Sequence, residues 1–119
     1  MRIAGLQQVK DLLLLLIGSR RHLIVDGNSM LPTLKKDDVI IYKPYKPNKD
    51  TLYSGLLVVI RHPIKNDIYV KRIFKINSFQ LDVRGDNEFE STDSRQFGII
   101  HKRQVEGIVK KIISTSKTK

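Results

Sequence analysis

Residues 68–83, with the sequence IYVKRIFKINSFQLDV, decide the fold class of this chain. Residues 68–76 are rich in β-branched side chains, residues 77–78 are the turn-forming pair Asn-Ser, and residues 79–83 alternate between apolar and polar side chains. This pattern predicts two strands joined by a turn, because β-branched and aromatic residues favour extended backbone and strand side chains point alternately to two faces.

Outward from this stretch, further apolar runs bounded by turn-forming residues predict strands at residues 22–25, 39–42, 56–61 and 105–113. Several short strands separated by turn signals indicate a mainly β domain over residues 22–113, either a small sandwich or a barrel-like domain. Residues Gly85–Gly98 lack apolar periodicity and are predicted to form a long loop, a kind of segment that is often functional. Residues 114–119 are predicted to be a polar tail.

The composition limits the class of protein. The chain has 119 residues, of which 40% are hydrophobic and 29% charged, and this is typical of one globular domain rather than of a disordered chain. The absence of cysteine excludes disulfides, cysteine-ligated metal sites and a cysteine nucleophile. His22, His62 and His101 show no metal-ligand spacing, so we expect no metal and no cofactor.

The formal net charge of +10 is compatible with several partners: nucleic acid, an anionic membrane surface or an acidic protein. It is equally compatible with a solvated lysine-rich surface, because the Lys and Arg residues are scattered along the chain. The four Phe and four Tyr are scattered too, which disfavours binding to single-stranded nucleic acid by stacking.

Residues 1–21 are predicted to form an N-terminal helix and a connector. The helix covers Ala4–Ile17 and is ended by Gly18. Its apolar run, residues 12–17, is far shorter than the ~20 residues that a transmembrane helix needs. We expect the helix to pack on the domain, and the alternative is a peripheral contact of residues 4–17 with a membrane surface.

Two segments carry residues suited to nucleophilic catalysis. In the first, Ser29 follows Gly27 and Asn28 at the end of a predicted strand, and the glycine permits a backbone conformation that presents the serine outward. A serine in a turn is far more often only a turn former, so this segment decides nothing by itself.

In the second segment, Lys71 lies inside a predicted strand whose apolar residues Val70 and Ile73 do not share one face. Either Lys71 or Arg72 therefore points toward apolar surroundings. Loss of water lowers the pKa of a lysine, and we expect the neighbouring cation Arg72 to lower it further. A neutral lysine can accept the proton of a serine hydroxyl.

Four segments, in this order, resemble the signal peptidase I family of serine proteases, which use a Ser/Lys dyad. Residues 27–34 (GNSMLPTL) are similar to the nucleophile motif of the family, residues 37–41 to the strand after it, and residues 69–73 (YVKRI) to its lysine motif. Residues 85–98, which contain GDN and STDSRQFG, resemble its last motif. The likeness covers about residues 23–110 and implies a small β domain of the signal-peptidase and LexA type.

The resemblance implies a role for each matching residue. Ser29 is the nucleophile, Lys71 is the general base, and Ser91 carries the hydroxyl that orients the lysine. The backbone N–H of Ser29 is a donor of the oxyanion hole. Asp93 and Arg95 form a structural ion pair. The other supporting positions are Gly27, Met30 as a wall of the substrate cleft, Pro32, Arg72, Gly85, Asp86 and Asn87.

Three departures accompany the likeness. Some members have a serine two residues before the nucleophile as a side-chain oxyanion donor, and this chain has Gly27 there. Membrane-bound members carry a transmembrane segment before the nucleophile, for which residues 12–17 are too short. Larger members insert a second β region where this chain has only residues 74–84. We therefore expect a minimal catalytic core and a cytoplasmic enzyme.

Within the family, residues 58–63 (VVIRHP) and 91–98, together with the compact length, resemble the proteases that mature nickel-type superoxide dismutase. Such an enzyme removes an N-terminal leader from the dismutase precursor, which is then the partner of this chain. The alternatives are a secretory signal peptidase at the membrane, a self-cleaving LexA-like domain with Ala4-Gly5 as its cleavage site, and a basic nucleic-acid-binding β-domain.

Overall fold

Seven strands and two short helices follow one another along residues 18–114. The structure, a computed structural model, describes residues 10, 13 and 18–114. The elements are β1 (Arg21–Ile24), β2 (Val39–Pro44), β3 (Leu57–Arg61), β4 (Ile68–Asn77), β5 (Gln80–Arg84), the helix α1 (Ser94–Phe97), β6 (Ile100–His101), a 3-10 helix (Lys102–Gln104) and β7 (Val105–Ile113).

The strands form one antiparallel sheet in the order β1-β2-β7-β3-β4-β5-β6, which curls into a half-barrel. The prediction of a mainly β domain is confirmed, and of the two expected architectures the single curled sheet follows the barrel-like one. β7 lies between β2 and β3. The pair β1–β2 and the group β3–β6 are therefore joined in the sheet through β7.

β4 changes phase at a bulge, and this explains its irregular alternation in the sequence. Its pairing with β5 matches Ile73 with Val83 and then Lys75 with Asp82, so Phe74 is the extra residue. Before the bulge, alternation places Lys71 and Ile73 on one buried face. After it, Ile76 returns to the apolar cluster that contains Ile73.

Two apolar cores cover the two faces of β3. Val58 and Ile60 point into the first core and Val59 into the second, so β3 is buried on both faces. The buried residues of the first core are Leu52, Val58, Ile60, Ile73, Leu81, Val83, Ile100, Val105 and Ile108. Those of the second core are Met30, Leu34, Ile40, Tyr42 and Val59.

Helix α1 corrects the prediction of a loop without structure over Gly85–Gly98. Asp93 caps α1: its carboxylate accepts a hydrogen bond from the Arg95 amide, and the Gln96 side chain accepts one from the Asp93 amide. This reciprocal capping satisfies amides that the first turn leaves free. A single turn is too short to show helical periodicity, so the sequence pattern missed it. The short elements β6 and the 3-10 helix were missed for the same reason.

The N-terminal prediction falls largely on residues that the structure does not describe. Within the predicted helix Ala4–Ile17, Lys10 and Leu13 are helical, and the other residues of that range lie outside the described ones, as do residues 115–119. The sheet begins at Arg21. Among the described residues, no helix has the length and apolar character needed to cross a membrane.

Replacement of a buried isoleucine by alanine should destabilise the fold far more than the same replacement at an exposed position. Ile60 is fully buried, and Ile60→Ala should lower the free energy of unfolding by about 2–5 kcal/mol, because it loses buried methyl groups and leaves a cavity. Ile64 is 83% exposed, and Ile64→Ala, the matched control, should change this free energy by less than about 0.5 kcal/mol. Urea denaturation measures both free energies of unfolding. Equal losses in the two variants would contradict the position of Ile60 in the core.

Candidate active site

Ser29 lies on a fixed loop between β1 and β2. The side chains of Met30 and Leu34 are buried in the second core, and the Leu34 amide donates to the Met30 carbonyl at 2.9 Å. Gly27, two residues before Ser29, has a φ of +96°, which a residue with a Cβ rarely adopts. Ser29 itself is half-buried at the edge of a cleft.

The segment 85–87 packs directly against the Ser29 loop. The backbone amide of Asn87 donates to the Ser29 carbonyl at 2.9 Å, and the Asn87 side chain donates to the Asn28 carbonyl at 3.0 Å. A Cβ on Gly85 would lie within 3 Å of both the Ser29 carbonyl oxygen and the Ser91 side chain. Only glycine at this position therefore allows the two serine-bearing segments to approach so closely.

Lys71 is almost completely buried, with 2% of its surface exposed. On β4 it stands opposite the buried Val58 of β3, and its Nζ lies 5.4 Å from the centre of the Tyr69 ring. Burial lowers the pKa of the Lys71 amine to about 8, while the Asp93 carboxylate raises this pKa and the Arg95 guanidinium lowers it.

The expectation that Arg72 lowers the pKa of Lys71 is wrong. Arg72 follows Lys71 on β4 and therefore points to the other face, where its Nε and Nη2 donate to Asp86 Oδ1 and Oδ2 at 2.9 and 2.7 Å. The cation that lowers the pKa of Lys71 is Arg95. Arg72 and Asp86 line a depression separate from the cleft that contains Lys71.

Ser91 connects Lys71 to Asp93. Lys71 Nζ donates to Ser91 Oγ at 3.2 Å, and Ser91 Oγ donates to Asp93 Oδ2 at 2.9 Å. Because the hydroxyl proton of Ser91 is directed to Asp93, its oxygen accepts from Lys71. A neutral Lys71 amine that donates one N–H in this way keeps its lone pair free to accept a proton from another group.

The Asp93 carboxylate is fully buried and accepts five hydrogen bonds. Besides that from Ser91, they come from the Gly85 amide at 2.9 Å, the Arg95 amide at 3.1 Å, and the Arg95 guanidinium at 3.0 and 2.7 Å. Burial raises the pKa of Asp93, but the bonds from Arg95, Gly85 and Ser91 outweigh it and hold this pKa well below its usual range. Asp93 is therefore a charged group at neutral pH.

Ser29, Lys71 and Ser91 line one open cleft of about 460 Å³. A smaller cavity of about 130 Å³ adjoins Ser29 and is lined largely by apolar side chains, including Leu23 and Met30. The fold thus brings the sequence-predicted nucleophile, base and orienting hydroxyl to one surface. The remaining residues that line the cleft are Asp26, Gly27, Asn28, Tyr69, Glu90 and Thr92.

Two residues near the cleft were given no role from the sequence. Tyr69 lines the cleft beside Lys71, and Thr33 Oγ1 donates a hydrogen bond to Asp86 Oδ2. Thr33 and Asp86 are 53 positions apart, and no local sequence pattern reports such a contact. Pro32, the neighbour of Thr33, is exposed and follows a cis peptide bond.

The described residues contain no group of three or more His, Asp or Glu side chains that could hold a metal ion. The chemistry available in the cleft is instead that of a hydroxyl and an amine of lowered pKa. An amine with a pKa of about 8 is neutral in part of the molecules near physiological pH, and the neutral form can activate a nearby hydroxyl as a nucleophile. The arrangement therefore suits covalent catalysis of acyl transfer.

The Lys71 amine should titrate near pH 8 in the folded protein, below the ~10.4 of an ordinary lysine. Since burial penalises the charged form, the neutral amine becomes the major species as the pH rises through this value. NMR of protein with ¹³C-labelled lysine Cε measures the midpoint, and Lys71→Met assigns the signal by removing it. A midpoint above 10 for that signal would contradict the burial of this amine.

A comparison with known protein families identifies the family of this chain. The sequence model described as "Signal peptidase, peptidase S26" matches residues 12–77, which is 66 of the 119 residues. The match includes Ser29 and Lys71 and ends before residues 85–98. No curated protein matches the chain. Because the family match covers more than half of the sequence, the chain belongs to the S26 family of signal-peptidase-like serine peptidases.

Proposed function

We propose that the protein is a serine endopeptidase in which Ser29 is the nucleophile and Lys71 the general base, and that it removes an N-terminal leader from a precursor protein. One observation carries this proposal: Ser29 shares an open cleft with a buried lysine whose amine is held by Ser91. Membership in the S26 family supports the reaction class.

In this mechanism, the lone pair of neutral Lys71 takes the proton of the Ser29 hydroxyl while Ser29 Oγ bonds to the carbonyl carbon of the substrate. Lys71 then gives that proton to the leaving amine as the C–N bond breaks, which leaves an acyl-enzyme that water hydrolyses with Lys71 again as base. Ser91 keeps the amine directed toward the cleft. The Ser29 backbone N–H stabilises the oxyanion. At position 27, the φ of +96° would strain any residue with a side-chain donor.

The substrate that we propose is the precursor of a nickel-type superoxide dismutase, cleaved in the cytoplasm so that the new N-terminus can supply nickel ligands. Support for this substrate comes from the resemblance of residues 58–63 and 91–98 to the enzymes of that subfamily. Ser91 and Thr92, the first two residues of segment 91–98, line the cleft. Residues 61–63 line a different depression, away from Ser29.

A second candidate is a secretory signal peptidase that works at a membrane. The exposed apolar side chains close to the cleft favour it: Ile24 and Ile68 line the small cavity beside Ser29, and Phe89, next to Glu90 of the cleft, is 93% exposed. A peripheral contact through residues 4–17 would serve the same function. The third candidate, a nucleic-acid-binding domain, has only the net charge of +10 in its favour.

The dyad can be tested with candidate precursors. Ser29→Ala and Lys71→Ala should each abolish cleavage, and the double variant should be hardly worse than either, because residues that act as one unit are not additive. Cleavage is measured by sequencing the new N-terminus, with a soluble dismutase precursor and a vesicle-embedded leader as the two substrates. Lys75→Ala, on the exposed part of β4, is the control and should retain the rate. Full activity of Ser29→Ala or Lys71→Ala would refute the dyad.

The hydroxyl of Ser91 should matter through the orientation of Lys71. A positioning hydrogen bond contributes about 0.5–1.5 kcal/mol, and more with a charged partner, so Ser91→Ala should slow cleavage by roughly ten- to a few-hundred-fold. Ser91→Thr keeps the hydroxyl and should retain much of the rate. Thr92→Ala is the neighbouring control, since Thr92 is exposed and the Lys71 amine donates to Ser91. If Thr92→Ala is as slow as Ser91→Ala, the orienting hydroxyl has been assigned to the wrong residue.

A further inference from the structure

The loop that carries Ser29 and the strand that carries Lys71 are connected by a chain of side-chain hydrogen bonds outside the cleft. Thr33, four residues after Ser29, donates through Oγ1 to Asp86 Oδ2. The same carboxylate accepts two hydrogen bonds from Arg72, the residue that follows Lys71 on β4. Thr33, Asp86 and Arg72 therefore connect the loop that carries Ser29 to the residue that follows Lys71.

This connection is fixed at both of its ends. Arg72 is held to the β3 side of the sheet, because its Nη1 donates to the Gly55 carbonyl at 2.9 Å. At the other end, Thr33 lies between Met30 and the fully buried Leu34, whose amide donates to the Met30 carbonyl. A shift of the Ser29 loop relative to β4 must therefore break the Thr33 bond or move Leu34 out of the core.

Asp86 is suited to serve as the acceptor of both bonds. It forms a charge-assisted, bidentate pair with Arg72, a geometry that fixes direction as well as distance. The Arg72 guanidinium, against the effect of burial and together with the Thr33 hydroxyl, lowers the pKa of Asp86. The Asp86 amide also donates to the Met30 sulfur at 3.3 Å. Asp86 therefore contacts the Ser29 loop through its backbone as well as its side chain.

We infer that Thr33 is a positioning residue for the proposed reaction: its hydroxyl, through Asp86 and Arg72, sets the distance between Ser29 and Lys71. The inference rests on the proposed function for its effect on rate. The Thr33 hydroxyl bonds to Asp86 and not to Lys71 or Ser91, so its proposed action is geometric. Small displacements of reacting groups are costly, since a misplacement of ~1 Å can lower a rate ~100-fold.

The test compares Thr33→Val, which keeps the shape and removes the donor, with Thr33→Ser, which keeps the donor. Thr33→Val should lower kcat about ten- to a hundredfold with KM changed less than about twofold, and Thr33→Ser should stay within about threefold of the native kcat. Thr51→Val, at an exposed position, is the matched control and should behave as the native enzyme. A Thr33→Val enzyme with full kcat, or a Thr33→Ser enzyme as slow as Thr33→Val, overturns the inference.

The pH profile distinguishes positioning from a general loosening of the site. Because the Thr33 hydroxyl bonds to Asp86 and not to Lys71, Ser91 or Asp93, the midpoint of the kcat/KM profile should be the same in Thr33→Val as in the native enzyme. A midpoint that moves upward would mean that water has reached the Lys71 amine. That outcome overturns the positioning role in favour of a purely structural one.

Amide hydrogen exchange tests the connection without a substrate. The Asn87 amide, which donates to Ser29, and the Leu34 amide should exchange faster in Thr33→Val than in Thr33→Ser or Thr51→Val. Equal exchange in the three variants overturns the inference. A native enzyme that cleaves no precursor refutes the proposed function instead, and faster exchange in Thr33→Val would still support the connection between the two segments.

Discussion

Burial of the Asp93 carboxylate is unfavourable unless hydrogen-bond donors replace the water that it loses. The donors come from three places in the chain, namely Gly85, Ser91 and Arg95. Each of these donors also belongs to another part of the site. Gly85 packs on the Ser29 carbonyl, and Ser91 accepts a hydrogen bond from Lys71. Arg95 lies in the first turn of α1. One buried negative charge thus determines where the groups around the cleft can lie.

The Asp93 carboxylate also disfavours the neutral amine that a lysine base needs. A carboxylate near Lys71 favours the ammonium form and raises the pKa of its amine. Burial opposes this effect and is the larger of the two. The Arg95 guanidinium reduces the field of Asp93 at the amine, while its two hydrogen bonds stabilise the carboxylate. The structure can therefore keep Asp93 charged for support and still hold the pKa of Lys71 at about 8, well below that of an ordinary lysine.

Much of this arrangement could be read from the sequence, and the reasons for the gaps are physical. Apolar and β-branched runs bounded by turn-forming residues predicted the strands. The mismatch in phase between Val70 and Ile73 correctly indicated a buried basic residue, which proved to be Lys71. α1 was missed because one capped turn has no periodicity. The effect of Arg72 on the pKa of Lys71 was predicted wrongly, because strand alternation points Arg72 away from Lys71. Its ion pair with Asp86 depends on how β4 packs against the loop after β5.

The position of β7 has a consequence for the order in which the site can form. Ser29 follows β1, Lys71 lies on β4, and the sheet hydrogen bonds that connect these regions run through β7, whose residues 105–113 come after both in the chain. A stretch of polypeptide that ends before residue 105 can form the β1–β2 and β3–β4 hairpins but cannot unite them into one sheet. Such non-local pairing is slow, because the intervening chain must lose the entropy of loop closure before any stabilising contact forms. An incomplete chain therefore lacks the sheet that aligns the regions carrying Ser29 and Lys71.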